Sequence, residues 1–152
     1  MNIVKYENFI KEADLKVEDF RAAFAFGNDG ENISDPKMAD ELLDELLKGR
    51  KTATASAVEG YEENEPFPIV DGRFDIVLNG KGEPIAAITN TRVYQTSFDQ
   101  VTADHARREG EGDLSLAYWR QAHEAFWRQF DLYRPNMPVL CEEFEVIYSK
   151  SK

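Results

Sequence analysis

Cysteine, long apolar runs and positive charge are all scarce in this sequence of 152 residues. Its single cysteine, Cys141, has no partner for an internal disulfide bond, and no apolar run reaches the roughly 18 residues that span a bilayer. No apolar signal segment follows Met1. These absences predict a soluble, intracellular protein of the cytoplasm, with neither a disulfide partner nor a membrane partner.

Basic residues are outnumbered, because 18 Lys and Arg against 29 Asp and Glu give a formal net charge of -11. The electrostatic field of such a net negative charge repels polyanions and membrane surfaces. Tight binding of an RNA polymer through many phosphates needs basic surface, so any contact with nucleic acid must be local. Hydrophobic residues still make up 42% of the chain, which excludes disordered and low-complexity classes.

Clusters of glycine, proline and asparagine separate the predicted helices and strands. The order of these elements predicts one α+β domain over residues 1–152, without internal repeats or linkers. Apolar residues at roughly helical intervals over 4–26 predict a helical N-terminal extension, residues 1–26, which Gly27 ends. A second helix is predicted up to Gly49, with Ser34 or Asp35 as its cap and Pro36 in its first turn.

The middle and end of the chain alternate in a way that is typical of strands. Runs rich in β-branched residues predict strands over 52–58, 74–78, 84–97 and 139–148. A hairpin turn is expected over 79–82, and the acidic stretch 59–68, with two prolines, is expected to form an exposed loop or a lid. A further helical region should begin near Phe98, and its long member should cover 114–130.

Glu142 interrupts the apolar face of the last predicted strand. It falls on the same face as Leu140 and Phe144 if the alternation is unbroken. An unpaired buried charge costs several kcal/mol, so Glu142 needs a basic partner or an altered proton affinity. The candidate partners are Arg73, Arg92 and Arg120.

The segment 49–56 reads Gly-Arg-Lys-Thr-Ala-Thr-Ala-Ser and joins a helix end to a strand. It is not a triphosphate-binding loop, which runs from strand into helix. One interpretation is that Arg50 and Lys51 only stabilise the carboxyl end of the helix, by about 0.3 to 1 kcal/mol each. The other is that a partly desolvated Lys51 acts as a general base. Strand alternation places Thr52, Thr54 and Ser56 on one side and Lys51 on the other, although its long side chain can reach over the edge.

A second unusual segment, 109–113, interleaves carboxylates with glycines ahead of the long helix. Asp113 can simply cap that helix, whereas Glu109 and Glu111 are available for chemistry or for substrate binding. His105 lies four residues before Glu109, but the spacing matches no metal motif and His123 is expected to be a hydrogen-bonded core residue. We predict no structural metal and no cofactor, and leave open a loosely held divalent ion at Glu109 and Glu111.

Aromatic residues make up 12% of the chain, and several could stack on a base. Most are expected to be core. The candidates for stacking are Tyr61, Phe67, Tyr94, Tyr118 and Trp119.

Taken in order, these segments resemble the ASCH domain family. The resemblance spans roughly residues 24–148. It is carried by Phe26-Gly27, the 49–56 segment, Glu109-Gly110-Glu111, Tyr118-Trp119-Arg120 with His123, and Cys141-Glu142-Glu143-Phe144. The helical N-terminal extension and the helix that carries residues 118–123 make the chain resemble the longer subfamily of this family.

The resemblance implies a small β-barrel of the pseudouridine-synthase-and-archaeosine-transglycosylase (PUA) type with flanking helices. It also implies a hydrolase, in which Lys51, Thr54 and Glu109 match the catalytic residues of family members that deacetylate N4-acetylcytidine. We expect Lys51 to activate Thr54 or water and Glu109 to transfer protons to the leaving amine. Substrate-binding roles are expected for Arg50, Thr52, Ser56, Glu111 and Trp119.

Two alternatives use the same cleft. One is a ribonuclease on single-stranded RNA, in which Arg50 and Lys51 hold a phosphate. The other is a non-catalytic RNA-binding module that takes one unstacked base. The expected partner is thus a small nucleoside or single-stranded RNA, and the oligomeric state is open.

Overall fold

The computed structural model describes residues 3–150, so the two residues at each end of the predicted domain lie outside the description. Within that range the chain forms one sheet and four α-helices. The strands are β1 (Phe20–Phe24), β2 (Ala53–Ala57), β3 (Phe74–Leu78), β4 (Pro84–Ser97) and β5 (Pro138–Ser149); the helices are α1 (Glu7–Glu12), α2 (Pro36–Leu47), α3 (Ala103–Arg108) and α4 (Leu116–Arg128). No helix in residues 3–150 is long and apolar enough to cross a membrane.

The sheet has the strand order β1-β3-β4-β5-β2, in which β1 and β3 are parallel and the other neighbours are antiparallel. The predicted α+β class is confirmed. The sheet is open rather than a closed barrel, because no ladder joins its edge strands β1 and β2 within residues 3–150. Both edge strands are only five residues long, which leaves little backbone to close the sheet.

The helical front predicted over 4–26 is wrong in its second half. Only Glu7–Glu12 is α-helical, and Phe20–Phe24 is a strand inside the sheet. The spacing of Phe20 and Phe24 misled the prediction, since a four-residue interval fits a strand face as well as a helix face. The segment therefore supplies an edge strand rather than an added helix.

Local signals located the other elements correctly. The Asp35 side chain accepts a hydrogen bond from the Met38 N–H at 3.1 Å and caps α2, and Gly49 follows this helix with φ of +81°. The predicted hairpin turn joins β3 to β4, where the Gly82 N–H donates to the Asn79 carbonyl. Residues 61–73, after a short 3-10 helix, contain no strand or helix, as predicted for the acidic loop.

Two backbone contacts bring the residues just ahead of β2 against the end of α3, and a third joins them to β5. The Thr52 N–H donates to the Arg108 carbonyl at 2.7 Å, and the Thr52 carbonyl accepts from the Phe144 N–H at 3.0 Å. A Cβ on Gly110 would lie 2.7 Å from the Arg50 carbonyl oxygen, so only glycine allows this approach. The two segments singled out in the sequence are thus in direct contact.

Replacement of Phe9 tests whether α1 belongs to the core. Phe9 is buried and its ring packs edge-on against Tyr148 of β5 at 5.4 Å. We expect Phe9→Ala to lower the free energy of unfolding by about 3 to 5 kcal/mol. Urea denaturation measures this loss. The control is Val17→Ala, because Val17 is 44% exposed and its replacement should change the free energy of unfolding by about 0.5 kcal/mol or less. Equally small losses in both variants would contradict the packing of α1.

Candidate functional site

Lys51 lies just ahead of β2 and is 2% exposed. Its Nζ donates hydrogen bonds to the carbonyls of Ala53 at 3.0 Å and Glu109 at 3.2 Å. The same ammonium lies 4.8 Å from the centre of the Phe26 ring, a cation–π contact. A lysine this deeply buried also needs a counter-charge.

Two carboxylates supply that counter-charge. Glu109 Oε1 lies 3.7 Å from Lys51 Nζ, and Glu111 Oε2 lies 3.5 Å from it. The Glu109 side chain is 1% exposed, whereas that of Glu111 is 16% exposed. The two carboxyl groups therefore share one ammonium but differ in their access to solvent.

Glu109 is surrounded by N–H donors. Its Oε2 accepts from His105 Nε2 at 2.7 Å and from Trp119 Nε1 at 2.6 Å, while Oε1 faces His123 Nε2 at 3.3 Å. His123 Nδ1 lies 2.9 Å from the Trp119 carbonyl oxygen. A carbonyl and a carboxylate can only accept, so these contacts favour the imidazolium form of His123, with a proton on each ring nitrogen.

The charges of the cluster follow from these contacts. Burial opposes ionisation of Glu109, but His123, His105 and Lys51 outweigh it and hold the pKa of Glu109 well below its usual value. Burial also disfavours a charged His123, yet the Glu109 carboxylate more than compensates and raises the pKa of His123. Burial raises the pKa of Glu111, and Lys51 offsets this only in part. The cluster thus contains one fixed anion and one carboxyl group that readily holds a proton.

Helical spacing positions the donors. His105 and Glu109 are four residues apart, so they share a face of α3 and its C-terminal turn. The Thr102 hydroxyl caps α3 by accepting from the His105 N–H at 3.1 Å. Trp119 and His123 are also four apart on α4, and their rings stack at 4.2 Å with an angle of 18°.

Trp119 does not offer the base-stacking surface expected from the sequence. Its ring is 2% exposed and is covered by His123, and its N–H is used by Glu109. His123 is hydrogen-bonded, as expected, but it is a charged member of the cluster rather than an ordinary core residue. The only sequence signal for this cluster was the four-residue spacing of His105 and Glu109 and of Trp119 and His123. Such spacing is equally typical of helix core packing, so it does not identify a charged cluster until the helices are placed.

The remaining predicted residues lie around this cluster. Arg50 is exposed and makes two hydrogen bonds of 2.6 Å to the Glu45 carboxylate of α2. The Thr52 hydroxyl faces the Arg108 carbonyl at 3.4 Å, and the Ser56 hydroxyl pairs with the Tyr61 hydroxyl at 2.9 Å. Thr52 and Ser56 thus contact a backbone carbonyl and a loop hydroxyl, and among the described residues neither hydrogen-bonds to the carboxylates of Glu109 and Glu111.

Thr54 lies directly opposite Glu142 in the β2–β5 ladder. Residues that face each other in an antiparallel pair point to the same side of the sheet. Within residues 3–150 the Thr54 hydroxyl makes no hydrogen bond to Lys51 or Glu109, so its predicted catalytic contact is not formed in this state.

Glu142 is buried, as the alternation predicted, but its partner is not one of the three expected arginines. The Arg21 guanidinium lies 3.5 Å from Glu142 Oε1, and Asn90 Nδ2 donates to the same oxygen at 3.0 Å. Arg21 also pairs with the buried Asp75, through Nε at 2.9 Å and through a second short contact. The three arginines proposed for this role contact other acceptors: Arg73 binds Asp71, Arg92 binds Glu143 and Arg120 binds the Asp99 carbonyl.

Glu109, Glu111 and His123 offer ligand atoms within 4.8 Å of one another, which is close enough for a metal ion. The Lys51 ammonium already lies 3.5 and 3.7 Å from the two carboxylates, and the contacts of His123 favour its protonated form. A metal ion would have to displace the first cation and deprotonate the second. The donor set therefore does not favour a metal here.

Glu111 forms part of the wall of a cleft of about 560 Å³ between α2 and the loop that leads into α4. The cleft has an apolar side and a strongly acidic one, and Arg50 is its one basic lining residue. Its lining includes Met38, Leu42, Leu114 and Tyr118, together with the carboxylates of Glu41, Glu45, Glu111 and Asp113.

The ion pair of His123 predicts a pH-dependent contribution to stability. A raised folded-state pKa means that the contribution is complete below the unfolded value of about 6.5 and is lost as the pH rises through the folded value. We expect His123→Gln to lower the thermal midpoint most at pH 6 and below, with the difference from wild type shrinking above it. Gln121→Ala, at an exposed position of α4, is the control. A His123→Gln difference that is equal at pH 5.5 and pH 9 would contradict the charged pair.

Comparison with known proteins matches the ASCH domain family over residues 23–148. An ASCH domain crystal structure from Lactobacillus crispatus JV V101 is 31% identical, covers 95% of each chain and has a TM-score of 0.80. The crystal structure of protein EF3133 from Enterococcus faecalis V583, of the family DUF984, is 29% identical, covers 94% of this chain and 85% of that one, and has a TM-score of 0.74. No curated protein matches the chain. The family match covers most of the chain, and the protein therefore belongs to the ASCH domain family.

Proposed function

We propose that this protein hydrolyses the amide bond of a small acylated nucleoside, namely an N4-acylated cytidine. The observation that carries the proposal is the buried Lys51 ammonium between one fixed carboxylate and one accessible carboxyl group. Lys51, Thr54 and Glu109 are the residues that the family resemblance assigns to this chemistry. The contact between Lys51 and Glu109 supports the placement of these two residues in one site.

The geometry favours a positioning role for Glu109. Both of its oxygens face N–H donors, and it is almost without solvent access. A carboxylate held in this way is a weak base and has no free direction from which to reach a substrate. Its function is then to hold Lys51 in place and to keep its charge balanced.

Glu111 is better suited to exchange a proton with the substrate. It contacts Lys51, it opens onto the cleft, and burial raises its pKa. Two carboxyl groups whose environments push their pKa values apart are the usual arrangement for separate acid and base roles. We therefore assign the proton transfer first expected of Glu109 to Glu111.

In the proposed reaction, the Lys51 ammonium passes a proton to Glu111 and the neutral amine accepts one from Thr54 or from water. The attacking oxygen bonds to the acyl carbon, and the bond from that carbon to N4 breaks. Glu111 returns its proton to the departing amine, so cytidine is released. If Thr54 attacks, water then hydrolyses the threonine ester to free the carboxylic acid.

The charge of the cleft supports a small substrate over an RNA chain. Its four lining carboxylates are opposed by Arg50 alone, which Glu45 already holds. A phosphodiester chain would be repelled along this surface, whereas a neutral nucleoside meets no such penalty.

Replacement of Lys51 tests the proposal. Lys51→Met keeps an apolar chain of similar length but removes the amine, so we expect release of cytidine from N4-acetylcytidine to fall at least about 100-fold. Chromatography with mass detection measures the product. A thermal melt of each variant checks that the fold is retained.

The control is Lys48→Met, which removes an exposed lysine near the end of α2 that pairs with Asp44. Its activity should equal that of the wild type. Fragmentation of a mixed single-stranded RNA by the wild type, with no cytidine released, would replace the amidohydrolase with a ribonuclease. Salt-dependent RNA binding without any product would indicate a binding module instead.

A further inference from the structure

Polar side chains form a row across the sheet, with one member from each strand. We call these residues the polar row. In the spatial order of the strands they are Arg21, Asp75, Asn90, Glu142 and Thr54. None of these residues except Thr54 has a role in the proposed reaction. A continuous polar row in the middle of a sheet is unusual, because strand interiors normally pack apolar groups.

Irregularities in two strands bring members of the row together. The β1–β3 register shifts between Phe20 and Ala22, which leaves Arg21 as the extra residue. The β4–β5 register shifts between Asn90 and Arg92, one residue beyond the Asn90 amide that reaches Glu142. Such bulges re-aim side chains and are frequent next to functional sites.

The row has more acceptors than donors. One guanidinium serves two carboxyl groups, and its contact with Glu142 is long at 3.5 Å. Asn90 is 8% exposed and its Oδ1 has no hydrogen-bond partner among residues 3–150. Only the Oε1 oxygen of Glu142 accepts a hydrogen bond there, while its side chain remains 11% exposed. A ligand that brings N–H donors would satisfy this deficit.

Two aromatic rings lie between the row and the Lys51 cluster. Thr54 faces Glu142, and Phe144, two residues further along β5, lies on the same face as Glu142. The Phe144 ring stacks on Phe26 at 6.1 Å, and Phe26 carries the Lys51 ammonium on its face. A ligand bound on the row would therefore end beside Thr54, with the Phe144 and Phe26 rings between it and the Lys51 ammonium.

The long loop over residues 61–73 closes one side of the row. The Tyr61 hydroxyl pairs with Ser56, and its ring packs edge-on against Phe67 at 5.0 Å. Phe67, Ile69 and Val70 are 43 to 54% exposed, so the loop presents apolar surface that no described residue covers. Loops of this length without secondary structure are usually functional.

We propose that the polar row is the recognition site for the base of the substrate, and that it takes a pyrimidine ring. The Glu142 carboxylate accepts the exocyclic N–H, the Arg21 guanidinium donates to a ring acceptor, and Tyr61 covers the ring. This inference rests on the proposed function, because it places the acyl group of the pyrimidine beside Thr54. It adds a binding site with its own chemistry, which can be tested without turnover.

Binding of cytidine, the product of the proposed reaction, provides the test. Isothermal titration calorimetry compares cytidine, uridine and adenosine on the wild type, on Glu142→Gln and on Glu143→Gln. Glu143 is the adjacent residue of β5, its carboxylate faces Arg92, and it is the matched control. We expect Glu142→Gln to weaken cytidine binding about 10-fold to 100-fold, since a charge-assisted hydrogen bond is lost. Adenosine should bind weakly to all three proteins.

Equal cytidine affinity in the wild type and Glu142→Gln would overturn the inference, and so would the absence of cytidine binding by the wild type. If Glu142→Gln fails to fold, Tyr61→Leu decides, because loss of the covering ring should weaken binding and unchanged binding would again overturn it. The two proposals fail separately. Cytidine binding that depends on Glu142 without hydrolysis would refute the reaction alone, whereas hydrolysis with an unchanged KM in Glu142→Gln would refute the recognition site alone.

Discussion

Burial of the Glu109 carboxylate is the constraint around which the site is arranged. A buried carboxylate is stable only when donors and positive charges surround it, and here they come from three separate segments. His105 precedes it on α3, Trp119 and His123 reach it from α4, and Lys51 reaches it from the start of β2. Because all four donors share this one acceptor, loss of its charge would weaken contacts of both helices and of the lysine together. The anion thus links the packing of the helices to the placement of the amine that the proposed chemistry requires.

The molecule then has two polar centres that share the sheet. The cluster around Glu109 supplies charge and proton transfer, while the polar row supplies hydrogen-bonding groups of both kinds for a planar ligand. The ring pair of Phe26 and Phe144 separates them and contacts Lys51. This separation lets the base of a nucleoside be held on the row while its acyl group is attacked beside it, so binding on the row positions the reacting bond.

The sequence predicted what local patterns determine. The cap at Asp35, the turn at 79–82 and the terminal strand with its buried Glu142 are each encoded within a few residues. Contacts between distant segments were beyond such patterns: Arg21 lies 121 residues from Glu142 along the chain, and three other arginines were equally plausible partners. The strand β1 was predicted to be helical because the four-residue spacing of Phe20 and Phe24 fits the repeat of a helix as well as that of a strand. Lys51 and Glu109 were singled out by their unusual local segments, and the family resemblance then implied their catalytic roles, whereas the charge on His123 required knowing which atoms each ring nitrogen faces.

The most direct test of this account is a carbon-13 NMR titration of the side-chain carboxyl groups in glutamate-labelled protein, with Glu109→Gln and Glu111→Gln to assign the two signals. The account predicts that the Glu109 signal stays that of an ionised group well below the ordinary pKa of 4.5, and that Glu111 titrates above it. Titration of Glu109 at or above that ordinary value would contradict the fixed anion, and with it the roles proposed for Lys51 and Glu111.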